Sequence, residues 1–288
     1  MRVFAGVDCG ATNLRVGLSA ENGQMLGSVK VASPLKNNPL QFASIIKQQI
    51  TQLMTQVKCN PPLALGVGTP GPLDLQKGWI LPSANLGNFA PIDLRSQLDA
   101  VLKIHIALDR DTNVALIGEA WRGAAVGKKD VVMLTLGSGV GGALLVNGEI
   151  DRGVGGKAGE LGHMFLEVPE VVHGPAGRFL HPPPLAIPKC GLGHEGCFEA
   201  LINSARSLEE LSYYLGYGLA NIVDIFNPEM IVIGGGKLFW GDFLPGAIKE
   251  MKKHTIDGVV DRVEVTYAKL RDLSGVYGAA RLAMVRTI

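Results

Sequence analysis

The chain has 288 residues, of which 47% are hydrophobic and 18% charged, so it can bury real cores and is not a disordered protein. At about 150 residues per domain, the length suggests about two domains. Lys and Arg number 27 against 26 Asp and Glu, a formal charge of +1 that disfavours electrostatically driven nucleic-acid binding by the whole chain.

The opening MRVFAGVDCG is too short and too Gly-interrupted an apolar stretch for a signal peptide. No run of about 18 apolar residues occurs, so no membrane span is expected. Cys9 and Cys59 are isolated, whereas Cys190 and Cys197 lie close together in a Gly-rich segment. That pattern suits a cytoplasmic protein with at most one metal site.

Residues 3–8 read as a buried strand, and 14–20 as a second strand after a Gly-rich turn. Asn22-Gly23 signals a hairpin into a third strand at 25–31. Asn38-Pro39 reads as a helix start, and Phe42, Ile45, Ile46, Ile50, Leu53, Met54 and Val57 follow at helical spacing. Strands are expected at 63–67 and 104–108, with a helix over 114–126 closed by Gly127. A strand at 131–136 then runs through GSGVGG into another at 143–146 and a second hairpin at Asn147-Gly148. This echoes the first strand, Gly turn and hairpin, so a duplicated unit is expected. Residues 169–196 read as loop. Leu208, Leu211, Leu215, Leu219, Ile222, Val223 and Phe226 mark one face of a long helix stopped by Asn227-Pro228. A strand at 230–233 opens into Gly234-Gly235-Gly236, and 275–285 reads as a terminal helix.

Three Gly-rich turns thus follow apolar strands, after Val7, Leu134 and Ile233. Glycine lets backbone N–H groups approach phosphate oxygens closely, although one such turn alone is more often just a tight turn. None is a P-loop, and the strand after 137–142 argues against a dinucleotide fold. Asp8 at a strand end can hold hydrated Mg2+ or stabilise its own turn. Asp111 at another strand end can accept a hydroxyl proton; the alternative is that Asp111 or Asn113 caps the helix starting near 114. Glu160 and His163, three apart, can bind hydroxyls or a metal, or lie in a hydrogen-bonded surface turn. His163, Cys190 and Cys197 are zinc-type ligands, one short of a closed tetrahedral site.

The stretches VDCGATNLRVGL, GVGTPGPLD, DRDTNVALIGEAWRGA, LTLGSGVGGALLVNGEI, GGKAGELGHM, CGLGHEGCFEA, GYGLANIVDIFNPEMIVIGGG and GVYGAA cover most of the chain. Together they resemble the ROK (repressor, open reading frame, kinase) sugar kinases. The resemblance implies an actin-like, ribonuclease H-like duplicated two-lobe α/β fold, with mixed sheets flanked by helices. The lobes would be residues 1–112 and 113–274, with the terminal helix at about 275–288 packing back on the first. It implies ATP-dependent phosphorylation of a hexose or N-acetylhexosamine, Asp111 as catalytic base, Mg2+, and a homodimer. Gly71, Asn85, Arg110, Asp111, Glu160, His163 and Glu199 would contact the sugar. Asp8, Gly10, Thr12, Gly137, Ser138 and Gly139 would surround the phosphates, and Gly234 and Gly235 would face the nucleotide.

The chain departs from the family pattern in three places. Arg110 stands where the family usually has Asn, a detail in which the chain resembles allose kinases. Leu192 replaces the middle cysteine of the zinc pattern, so a site on His163, Cys190 and Cys197 lacks its fourth ligand unless His173, His181 or His194 substitutes. The segment after Glu199 is short relative to the family. A repressor of the same family is disfavoured because the first phosphate turn at Asp8 leaves no room for a DNA-binding domain before it. A catalytically degenerate sugar-binding protein is the alternative.

Overall fold

The computed structural model describes residues 1–10, 12–34, 41–82, 91–166, 171–174, 177–180 and 188–287. The chain divides into two compact units. One comprises Met1–Lys128, Glu149–Ala158 and Ala268–Ile288; the other comprises Lys129–Gly148 and Gly159–Tyr267.

The first unit is built on strands β1 (Val3–Cys9), β2 (Asn13–Ala20), β3 (Met25–Ala32), β4 (Ala64–Thr69) and β5 (His105–Arg110), in the order β3-β2-β1-β4-β5. The β1–β2 and β2–β3 pairs are antiparallel, and β4 lies parallel to both β1 and β5. The hairpin expected at Asn22-Gly23 forms. Only Gly23 has positive φ (+86°), and Gly23 N donates to Ala20 O, so the turn is a type I turn followed by a left-handed Gly rather than the two-residue form.

Alternation along these strands sends side chains to two faces. Ala5, Val7, Leu65 and Val67 pack with Phe42, Ile46, Ile50 and Leu53 of α1 (Phe42–Val57) and with Leu94 and Leu98 of α2 (Leu94–Leu102). On the other face, α7 (Ser274–Thr287) packs on β1 and β4 and against α3 (Asp111–Arg122). The two helices come so close that a Cβ at Gly278 would lie 1.5 Å from the Val114 carbonyl oxygen, which is why glycine stands there.

The second unit repeats the plan. Strands β6 (Val131–Leu136), β7 (Val140–Val146), β8 (Met230–Gly234) and β9 (Glu264–Tyr267) follow the order β7-β6-β8-β9. Here β6–β7 is antiparallel, and β8 is parallel to both β6 and β9, matching β2-β1-β4-β5. The duplication heard in the sequence is therefore present as topology. The second hairpin signal takes the two-residue form, with positive φ at Asn147 (52°) and Gly148 (83°). Helices α4 (Phe198–Ser204), α5 (Leu208–Phe226) and α6 (Leu244–Met251) complete the unit. Ser207 caps α5 by accepting from Glu210 N, and left-handed Asn227 closes it.

Two sequence expectations are corrected. The helix expected over 114–126 begins at Asp111 and ends at Arg122. Glu119 ends it early: its carbonyl accepts from Gly123 N and Ala125 N, and its carboxylate from Ala124 N. The stretch 169–196 holds an antiparallel hairpin, Val171–Gly174 with Gly177–Leu180, rather than loop throughout. The expected helix start at Asn38-Pro39 lies outside the described residues. Among the described residues no helix is long and apolar enough to cross a membrane.

Candidate active site

In open α/β sheets ligands bind beyond the carboxyl ends of parallel strands. The candidate residues of the first unit gather there. Asp8 pairs in register with Gly68, and Thr69 with Arg110, across β1, β4 and β5. Gly10 and Thr12 follow β1, Gly71 follows β4, and Asp111 opens α3 directly after β5. Asp111 Oδ1 accepts from Thr112 N at 2.8 Å, the first-turn contact that a helix-opening carboxylate makes. Asn85 lies outside the described residues.

Asp8 is the electrostatic centre of this group. Its side chain is 19% exposed, and Arg15 Nη1 stands 3.8 Å from Oδ2 while Arg15 Nη2 binds Asp272 at 2.7 Å. Burial, then the Asp111 charge, push its pKa up to about 7; Arg15 pulls the other way and Asp272 adds to the rise. Gly275 of α7 lies against the carboxylate, where a Cβ would sit 2.5 Å from Asp8 Cγ. This surplus of negative field fits Mg2+, which needs only one or two carboxylates when phosphates and its own waters fill the rest of its shell.

The raised pKa sets a pH dependence. In magnesium-free buffer the native state binds this proton more tightly than the unfolded chain, whose carboxyl titrates near 3.8. Stability therefore falls as pH rises from about 4 to about 7, by up to about 4 kcal/mol. Asp8→Asn should remove that slope and be more stable than wild type above about pH 7. Urea unfolding of both proteins at about pH 5 and about pH 8 measures it, and equal slopes contradict it.

Arg110 is buried, and its guanidinium donates to Asn113 Oδ1 at 3.3 Å and to the Ala158 carbonyl. A Cβ at Gly71 would lie 3.8 Å from Arg110 Cδ, so these two candidates are neighbours. Behind them Asp109 is fully buried. Its Oδ1 takes Arg110 N and Asn113 Nδ2, and its Oδ2 takes Arg152 Nε at 2.9 Å and Nη2 at 2.5 Å. Sequence reasoning missed Arg152, which is 43 residues from its partner.

In the second unit Gly137, Ser138 and Gly139 form the turn between β6 and β7, and Asn203 Nδ2 donates to Ser138 O. Gly234 pairs with Thr135, and Gly235, at φ 98°, comes so near that a Cβ would lie 2.4 Å from Leu136 O. Two of the three Gly-rich turns thus meet at the ends of parallel strands. Glu199, buried in the first turn of α4, accepts from Val140 N at 2.8 Å and Gly191 N at 3.2 Å. Glu160 is exposed and precedes a short 3-10 turn, Leu161–His163.

His163 Nδ1 lies 3.9 Å from Cys190 Sγ, and with Cys197 the three ligand atoms fall within 4.8 Å of one another. Two ligands of one tetrahedral zinc, a thiolate and an imidazole, stand about 3.6 Å apart, so the donors fit three of four positions. Leu192 is exposed and supplies no ligand, whereas the His194 ring centroid is 5.2 Å from that of His163. His173 falls in the hairpin strand Val171–Gly174, and His181 lies outside the described residues.

A model of the ROK family matches residues 4–209 and 202–286. The chain is 26% identical to a glucokinase of Halalkalibacterium halodurans, over 98% of this chain and 94% of the relative. A ROK hexokinase from Thermus thermophilus superposes with a TM-score of 0.78 at 25% identity, covering 99% of each chain. A ROK family glucokinase from Streptomyces griseus, solved with glucose and AMPPNP, gives 0.79 at 24% identity, over 98% of this chain and 99% of that one. The mixed sheets, their repeated order and these likenesses establish the actin-like fold, and the chain belongs to the ROK family.

Proposed function

We propose that this protein is a carbohydrate kinase that transfers the γ-phosphoryl group of ATP to a hydroxyl of a hexose or N-acetylhexosamine, with Asp111 as general base. The observation that carries the reading is the gathering of Asp111, Asp8 and the Gly10 turn at the carboxyl ends of β1 and β5, with Asp111 close enough to raise the pKa of Asp8. The family match and the kinases among its relatives support the class of reaction.

Asp111 takes the proton of the attacking hydroxyl. The hydroxyl oxygen forms the new P–O bond as the bond to the β-γ bridging oxygen breaks, and ADP leaves with that electron pair. Asn85, Gly71, Arg110, Glu160, His163 and Glu199 bind and orient the sugar. Backbone donors around Gly10, Thr12, Gly137, Ser138 and Gly139 hold the phosphates, with Gly234 and Gly235 against the nucleotide. Mg2+ beside Asp8 supplies neutralisation of phosphate charge when bound. Arg110, held by Asn113 and Ala158, presents a fixed cation to the sugar side and shapes which hydroxyls are accepted. The reading includes a cytoplasmic homodimer.

The test is ADP release from Mg-ATP across allose, glucose, mannose, fructose and N-acetylmannosamine. Turnover on one of them supports the reading. Sugar binding by folded protein with no turnover on any sugar overturns it in favour of a non-catalytic sugar-binding protein.

Zinc on His163, Cys190 and Cys197 belongs to the same proposal, as a structural ion that fixes the turn carrying His163 and the start of α4 carrying Glu199. Metal analysis of purified protein should find one zinc per chain, lost in Cys190→Ser. Wild type without zinc contradicts this part.

A further inference from the structure

The first unit carries a cavity of about 700 Å3 that none of these roles uses. It is lined by Ile104 and by His105 to Leu108 of β5, which is the last strand of its sheet. Arg95, Arg152 and Arg286 line it with His105, and Asp99 is the one carboxylate among the described lining residues.

The three guanidinium groups are held in different ways. Arg95 is fixed over the turn of a short antiparallel hairpin, Leu73–Asp74 with Trp79–Ile80, donating from Nη1 to Gln76 O and from Nη2 to Leu75 O, each at 2.9 Å. Arg152 is fixed by Asp109 and by Ile150 O. Arg286 is exposed on the last turn of α7 and has no hydrogen-bond or ion-pair partner among the described residues. A guanidinium has five N–H donors. Among the described residues two are engaged at Arg95, three at Arg152 and none at Arg286, which leaves three, two and five without a described partner.

Asp109 neutralises Arg152 from within, and Asp99 offsets one further charge, so the cavity keeps a positive excess. Donors from three separate groups suit a tetrahedral anion with three terminal oxygens better than a flat carboxylate, which one fork satisfies. The volume exceeds what a bare phosphate fills and falls in the range of small-molecule pockets. Ile106 and Leu108 give the lining an apolar part against which a carbon skeleton can lie.

We infer that this cavity is a binding site for a small phosphate monoester, separate from the phosphoryl-transfer centre. The inference does not rest on the kinase reading, because its test needs neither ATP nor turnover.

Isothermal titration of the full chain with glucose 6-phosphate, at constant ionic strength and without ATP, tests it. Glucose serves as the neutral probe and inorganic phosphate as the second anion. The expected result is binding of glucose 6-phosphate to wild type, with Kd raised at least tenfold in Arg286→Glu and several-fold in Arg95→Gln. Saturating glucose should change that Kd less than twofold, which separates this site from any product site beside Asp111, where glucose would compete. Glucose should not show the Arg286→Glu effect. Inorganic phosphate that binds as tightly, and weakens equally in Arg286→Glu, keeps the site and assigns it to phosphate without a carbon skeleton. No binding of either anion at millimolar concentration overturns the inference, and so does binding that Arg286→Glu leaves unchanged. Arg286 is exposed, so unfolding of that variant is not expected, and a melting temperature equal to wild type checks it.

Discussion

Glu119→Ala should be the most destabilising single truncation in the first unit, costing about 4 kcal/mol or more. Glu119 is fully buried on α3, and four donors converge on its carboxylate. Ala124 N and Lys269 N reach Oε2 at 2.7 and 3.1 Å; Leu270 N and the Ser274 hydroxyl reach Oε1 at 2.9 and 2.6 Å. The group thus stitches the end of α3 to the segment that leads into α7. Alanine would leave three part-buried backbone N–H groups without this acceptor, at about 1–3 kcal/mol each before relaxation, while the Ser274 hydroxyl keeps Arg271 O as its acceptor. Domains of this size are stable by about 5–15 kcal/mol, so the variant would stand near the folding threshold. Glu119→Gln keeps one acceptor oxygen and should lose roughly half as much. Urea unfolding of the three proteins reads the order. A loss under about 1 kcal/mol for alanine would show that water or local rearrangement satisfies those donors.

Asp111→Asn should lower turnover by about 100- to 10,000-fold, the range attributed to a positioned general base. Asparagine keeps the size of the side chain and an oxygen for Thr112 N, so sugar affinity should change little and the loss should appear in kcat. A second effect follows from the charge. Asp111 is the second-largest cause of the raised Asp8 pKa, after burial, so removing it should lower the pKa of Asp8 toward its ordinary range. The variant should therefore lose turnover and shift the pH dependence of stability together. Turnover within tenfold of wild type would take Asp111 out of the base role.

The strands around each Gly turn were legible because apolar runs ended in Gly and Asn-Gly pairs restarted them. Helix α5 was legible because seven apolar residues keep one face from Leu208 to Phe226. Short elements without a long period were not. α2 has nine residues and is started by the Asp93 side chain accepting from Ser96 N, a contact that composition does not announce. The hairpin within 171–180 was hidden because its strands are four residues each and glycines flank its turn. The candidate site residues were carried by motif, and those on one strand end do lie together in each unit. The supporting contacts were not legible: Arg152 with Asp109, and Glu119 with Ser274, join residues 43 and 155 positions apart. Only the fold brings such pairs into contact, and no local pattern marks them.

The most direct test of the central claim is transfer of a radiolabelled γ-phosphate from Mg-ATP to the sugar itself, followed for wild type and Asp111→Asn on the preferred sugar. Wild type should form labelled sugar phosphate in step with ADP, and the variant should lose at least about 100-fold while retaining its sugar affinity. ADP formed without labelled sugar, or equal transfer by both proteins, would contradict it.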